Sequence, residues 1–401
     1  MTHALIIGGG IGGATTAMSL GKAGISSTVY EAYPAGADDA GAFLVLFHNG
    51  LAALRTIGAL QPVLEVSFPA ERVEMLAHTG DSLGARPVAG GAGTGEDGMR
   101  GPRTLRRATL NRALHAEAAR RGITVEHGKR LVSARTAPDG RVSAYFADGT
   151  SAEGDLLVGA DGVHSLTRSL IDPEAPAPRH TGQITVCGHA DGVPPEAVPP
   201  PGTYRMIQGR RALLGCILAP DDKVWWFANT PGAELTREQL ATVTPQQCAH
   251  WRDHVAGLFA EDASPAAGIV RAGGPGTVAT NAYDLASTPV WSDGAMVLIG
   301  DAAHAAAPNA AQGASMAIED SVVLAKCLRD LPTLPEAFAR YELLRRQRVE
   351  AVVARSARLG ERVVPRPASG SGARRDEETS GSDWLLRYRI EWDAPVTAEA
   401  P

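Results

Sequence analysis

The chain is expected to be an α/β protein with a doubly wound parallel sheet, a second, antiparallel sheet, and a long C-terminal helix. Three observations predict this. "HALIIGG", "GGATTAMSLGKAG" and "SSTVYEA" supply strand, helix and strand within about 30 residues, the order a parallel sheet requires. Between residues 180 and 230, "GQITVCGHADG", "TYRMIQG", "RALLGCILAP" and "KVWWFANT" are short apolar segments separated by turn residues. "GAMVLIG" then reads as another buried strand, and a helical pattern runs from about 336 to 360.

Taken in order, the first helix is closed by Gly24. Residues 86–104 are glycine-rich and charged and read as a loop, and "TLRRATLNRALHAEAARRG" follows as an amphipathic helix with Leu110, Leu114 and Ala118 on one face. A helix is expected near 246–260. Residues 365–382, "PRPASGSGARRDEETSGS", have the composition of a disordered linker, and the aromatic tail 383–401 is placed to dock on the body. These boundaries suggest one discontinuous unit from 1–70, 100–178 and 285–364, and a second from 71–99 and 179–284.

With 401 residues the chain can form two or three units with real cores. A net charge of -6, from 38 basic and 44 acidic residues, provides no basic stripe for nucleic acid. The four cysteines, Cys187, Cys216, Cys248 and Cys327, lie far apart and suit neither a disulfide framework nor a metal site. No signal peptide or membrane-length apolar run is visible, so a soluble, cytoplasmic protein is expected.

Gly8, Gly10 and Gly13 form G-x-G-x-x-G between the first strand and the first helix. The first glycine permits the tight turn, the second lets a pyrophosphate approach the backbone, and the third lets helix and strand pack closely. The helix N-terminus offers its unpaired N–H groups to the phosphates. Glu31 ends the second strand, where a carboxylate accepts from a ribose diol and disfavours a 2′-phosphate. This spacing fits NAD or FAD and does not choose between them.

Two further stretches resemble a family. "DLLVGADGVHSLTRSLI" and "LIGDAAH" continuing into "PNAAQGASMAIED" are similar to the two later flavin motifs of single-component FAD-dependent aromatic hydroxylases, the para-hydroxybenzoate hydroxylase group. "GAFLVLFHNGLAAL" resembles the segment that lines the isoalloxazine, and Arg107 stands where the family has a flavin-contacting arginine. The resemblance runs from residue 1 to about 360. It implies a Rossmann-type FAD-binding domain under an antiparallel substrate domain. It also implies FAD contacts from Gly8, Gly10, Ile11, Gly12, Gly13, Glu31, Arg107, Leu131, Asp161, Asp301, Gly313 and Ala314. Asp301 would meet the ribityl chain, the small residues Ala302 to Ala307 would let backbone lie against the flavin, and the helix near Gly313 would point its positive end at the N1–C2=O edge.

NADPH or NADH would reduce the flavin, dioxygen would add at C4a, and one oxygen would pass to an aromatic or polyketide-like natural product. A flavin epoxidase or Baeyer–Villiger oxygenase would share every motif. An NAD-dependent dehydrogenase explains only the first fingerprint, and a non-catalytic flavin-binding regulator remains a third alternative. The chain departs from some members of the family at Phe43 and His48, where those carry glycine and proline, and Tyr33 stands near where relatives often carry arginine. Bulk at the first two positions bears on flavin movement.

Among other candidates, His48 is placed for acid/base work or a substrate contact, and His304 for a structural role. Trp226, Pro308 and Asn309 are expected at the substrate pocket, with strand alternation setting Trp226 opposite Trp225 and Phe227. His250 and His254 have helical spacing but no third ligand, so no metal is expected. Ser165 lies in no nucleophile elbow. Substrate identity and oligomeric state are not legible.

Overall fold

The computed structural model describes residues 2–34, 42–88, 101–241, 243–361 and 383–397. The expected linker 365–382, and most of the expected loop 86–104, lie outside the described residues.

The parallel sheet has six strands in the order Ser292–Asp293, Met296–Leu298, Leu156–Gly159, His3–Ile7, Ser26–Glu31 and Thr124–His127. Only the edge pair 292–298 is antiparallel. Ala4, Leu5, Ile6 and Ile7 are all buried, because a central parallel strand is covered on both faces and reads as a continuous apolar run. Helix Ile11–Lys22 packs on helix Gly313–Asp330, where Thr15 and Thr16 both meet the Ser321 hydroxyl. A three-stranded meander, Leu131–Thr136, Val142–Phe146 and Ser151–Gly154, adds Leu131, Val142 and Phe146 to the same core.

The large sheet has seven strands in the order Val278–Asp284, Arg179–Ala190, Val224–Pro231, Leu213–Leu218, Thr203–Gln208, Arg72–Ala77 and Ser82–Pro87. The expected antiparallel sheet is there with one correction, since Thr203–Gln208 pairs parallel with Arg72–Ala77. Helices Pro245–Leu258 and Ala266–Arg271 cover one face and bury Trp226, Val255, Phe259 and Ile269 together.

A small antiparallel sheet of Phe43–Leu46, Arg103–Arg106 and Phe68–Pro69 joins the two halves. It corrects the expected helix start. Pairing on both sides draws Arg103–Arg106 into a strand, and the amphipathic helix runs Arg107–Arg120 with Leu110, Leu114 and Ala118 buried.

The long helix is Leu334–Gly360, with the Thr333 hydroxyl accepting from the Glu336 N–H at its start. The tail docks on it: the Arg348 guanidinium donates to the carbonyls of Trp384 and Leu385. Trp392 is covered by Arg329 at 4.6 Å and Lys22 at 5.1 Å from its ring centre. All four cysteines are free and buried. Among the described residues no helix is long and apolar enough to cross a membrane.

Candidate active site

The glycine turn separates three demands. Gly8 has φ +102°, and a Cβ there would fall 2.4 Å from the Ala160 carbonyl oxygen. A Cβ on Gly13 would fall 1.9 Å from the Gly8 carbonyl oxygen, so the helix could not approach the turn. At Gly10 a Cβ would meet nothing within 4 Å. Protein packing therefore demands glycine at positions 8 and 13 but not at 10, where the open space suits a phosphate group. Gly10 is also the N-cap of helix Ile11–Lys22 and leaves its N–H groups without a side-chain cap.

Glu31 is held against this turn, accepting from the Gly9 N–H at 2.6 Å and the Tyr33 N–H at 2.9 Å. His115, which the sequence reading missed, donates from Nε2 to the Gly9 carbonyl at 2.5 Å. Ile11 points into the core, and Gly12 lets the helix pass Ile299 and Ala317 at van der Waals distance. Tyr33 is exposed, with the Arg130 guanidinium 5.2 Å from its ring centre. Arg130, just before strand Leu131–Thr136, thus puts a cation beside Tyr33.

The second motif explains its alanines. Gly300 has φ +56°, and its would-be Cβ lies 3.1 Å from the Ala317 Cβ. This turn presents Asp301 as an exposed carboxylate at the start of helix Asp301–His304, while Ala302, Ala303, Ala305 and Ala307 are buried behind it. A Cβ on Gly313 would be 3.7 Å from Asp301 Oδ1, so the carboxylate borders the start of helix Gly313–Asp330, which has no side-chain cap. Ala314 is half-buried in the next position. Arg107 is the first residue of its helix and is exposed, with no ion pair among the described residues.

A buried ionic cluster fixes these turns. Asp320 accepts from the Gly300 N–H at 2.9 Å, from His304 Nε2 at 2.5 Å and from Arg345 Nε at 2.7 Å. Burial alone would raise the Asp320 pKa, but His304 and Arg345 hold it down to about 2. Glu319 accepts from Arg345 at 2.6 Å, from Arg348 at 2.7 and 2.8 Å, and from the Asn49 amide at 2.7 Å. His304 is thus structural. The cluster draws on sites far apart in the chain, and its sequence signals, "HN", "IED" and "RRQR", carry no spacing rule.

One site expectation, Trp226 at the substrate pocket, needs correction, and the side chains of Asp161 and Leu131 have partners of their own. Asp161 accepts from the Ser165 hydroxyl at 2.5 Å and from the Thr167 N–H and hydroxyl at 3.0 Å, so its carboxylate forms the turn into helix Leu166–Ile171. The side chain of Leu131 is core, which leaves only its backbone for a cofactor. Trp226 is fully buried under the covering helices, with its indole over Gly188, where a Cβ would lie 2.5 Å from Cζ2.

The opposite face carries Trp225 and Phe227, which pack with Phe43 and Phe68 at ring separations of 5.4 to 6.0 Å. All four are half-buried. Asn309 extends this face, its Oδ1 accepting from the Asn229 amide at 2.9 Å, next to exposed Pro308. His48 opens helix His48–Thr56. Burial, with Arg387 and Arg389 nearby, holds its pKa below the usual imidazole value. His250 and His254 flank Trp251, and among the described residues no three metal-ligating side chains are grouped.

Open space at Gly10, a Glu31 carboxylate held on the glycine turn and an exposed carboxylate at Asp301 suit an extended dinucleotide such as FAD. Strand, glycine turn and helix in this order define a dinucleotide-binding fold. The family model described as "FAD binding domain" matches residues 1–356, and the chain belongs to this family.

The aurachin C monooxygenase/isomerase of Stigmatella aurantiaca is 31% identical over 363 residues, covering 89% of this chain and 88% of that protein. The 3-amino-4-hydroxybenzoate 2-monooxygenase PtmB3 of Streptomyces platensis is 35% identical over 376 residues, covering 88% and 87%. Among solved structures, Klebsiella pneumoniae HpxO complexed with FAD and uric acid superposes with a TM-score of 0.78 at 25% identity, covering 96% of this chain and 92% of that one. The protein is an FAD-dependent monooxygenase with NAD(P)H as cosubstrate.

Proposed function

We propose that the enzyme hydroxylates an electron-rich aromatic or polyketide-like small molecule, held between the flavin site and the aromatic face of the large sheet. The observation that carries this reading is that face itself: Phe43, Phe68, Trp225 and Phe227 form a half-buried aromatic wall ending at Asn229 and Asn309. Bound FAD supplies hydride acceptance from NADPH or NADH and oxygen activation. The chain's own residues do the rest. The Gly10 turn and its helix N-terminus would hold the pyrophosphate, Glu31 the ribose, Asp301 the ribityl hydroxyls and Arg107 the flavin side. The N–H groups at the uncapped helix start, Gly313 and Ala314, would stabilise the negative charge that grows on the flavin on reduction. The aromatic wall orients the substrate ring and excludes water. His48, kept neutral by burial and the nearby arginines, is available to hold or accept a proton. The free buried thiols support a cytoplasmic setting.

The relatives named for action on an aminohydroxybenzoate and on aurachin support an aromatic natural-product substrate. A panel of phenols, aromatic acids and quinolones, with NAD(P)H consumption and product mass followed together, tests the reading. The expected result is at least one product heavier by a single oxygen. Consumption that yields only peroxide with every compound would overturn it.

A further inference from the structure

Strand register gives the flavin-side face of the large sheet an order. Cross-strand partners share a face, and rows two residues apart repeat on it. One row is Thr185, Asn229 and Leu213, the next Cys187, Phe227 and Gly215, and the next His189, Trp225 and Ile217. The face therefore runs from an amide end at Asn229 and Asn309, through aromatic rings, to an imidazole.

Arg106 closes that far end. It is the cross-strand partner of Phe43, so both side chains leave the small sheet on the same side, toward Trp225. Its guanidinium lies 4.9 Å from the centre of the Trp225 ring, while Phe43 lies 5.6 Å from the same ring. Arg106 is exposed, and its guanidinium makes no hydrogen bond or ion pair with the described residues. Nearby Lys223 lies 3.5 Å from Asp191, so those charges answer each other. A guanidinium laid over an indole keeps its planar donor edge free, and that edge matches a carboxylate in two parallel hydrogen bonds.

We infer that Arg106 sets substrate specificity by pairing with the carboxylate of a planar aromatic acid whose ring lies against Phe43, Trp225 and Phe227. This rests on the oxygenase reading for the position of the reacting centre. Anchoring the acid at Arg106 turns the opposite edge of the ring toward Asn309 and the Asp301 turn. His189 borders the same end. Burial, with Lys223 and Arg106, holds its pKa below the usual value, so it offers a neutral N–H and Arg106 supplies the charge.

The test is equilibrium binding to the FAD-loaded protein without NAD(P)H, followed by tryptophan fluorescence and the flavin spectrum. The probes are para-hydroxybenzoate, salicylate, anthranilate and quinaldate, each beside its carboxamide. At least one acid should bind about ten- to a hundredfold tighter than its amide, the range for a charge-assisted hydrogen bond. Arg106→Gln should remove that difference and leave amide affinity and FAD content unchanged, and Arg106→Lys should restore part of it. Added salt should weaken the acid and not the amide.

A purely structural contact between Arg106 and Trp225 would move acid and amide together. A panel in which no acid binds tighter than its amide, or an Arg106→Gln protein that weakens both equally, overturns the inference. None of these readouts involves turnover. Acid discrimination can therefore fail while the oxygenase reading stands, and the reverse holds too.

Discussion

Replacing Arg345 by alanine should cost the folded protein about 3–5 kcal/mol, the usual consequence of removing one member of a buried ion pair. Arg345 is fully buried and bonds Glu319 at 2.6 Å and Asp320 at 2.7 Å. Without it, Arg348 and His304 alone face two buried carboxylates. Because Asp320 also receives the Gly300 N–H, the turn that presents Asp301 should loosen, and FAD affinity should fall with stability. Thermal unfolding should shift down by about 5 °C for this loss. A change below about 1 kcal/mol, the value of a surface pair, would mean that the cluster does not brace the Gly300 turn.

The second large effect separates two glycines of one motif. Gly13→Ala drives a Cβ into the Gly8 carbonyl, and neither backbone segment can yield without parting helix from strand. Overpacking of this kind costs about 1–3 kcal/mol, and FAD binding should be lost with it. Gly10→Ala meets open space at φ -68°, so apoprotein stability should stay within about 0.5 kcal/mol of the parent. Its FAD affinity should nevertheless fall, because the methyl group occupies the phosphate's place. Calorimetry of the apoproteins with FAD titration distinguishes these cases. Equal FAD affinity in Gly10→Ala and the parent would move the pyrophosphate away from Gly10.

The contrast between these glycines shows what the sequence made legible. The β-α-β order and both flavin motifs depend on local patterns, so the parallel sheet and the turns at Gly8 and Gly300 could be anticipated. What escaped depends on distant partners. Arg103–Arg106 has a helical composition but is extended, because Phe43–Leu46 and Phe68–Pro69 pair with it. Alternation separated Trp226 from Trp225 and Phe227 but could not say which face met the covering helices. Gly188, on the neighbouring strand, makes the room that buries Trp226. Asp161 matched its motif, yet Ser165 and Thr167 engage its carboxylate within the turn. The cluster of Asn49, Glu319, Asp320, Arg345 and Arg348 left no trace, since buried charge pairing has no sequence period.

This site places one atom of dioxygen on a bound small molecule at the expense of NAD(P)H. Turnover of a substrate found by the panel under labelled dioxygen measures it directly. One labelled oxygen atom per product molecule is expected, with one NAD(P)H consumed for each. Product carrying oxygen only from water, or complete recovery of the label as peroxide with the substrate unchanged, would contradict it.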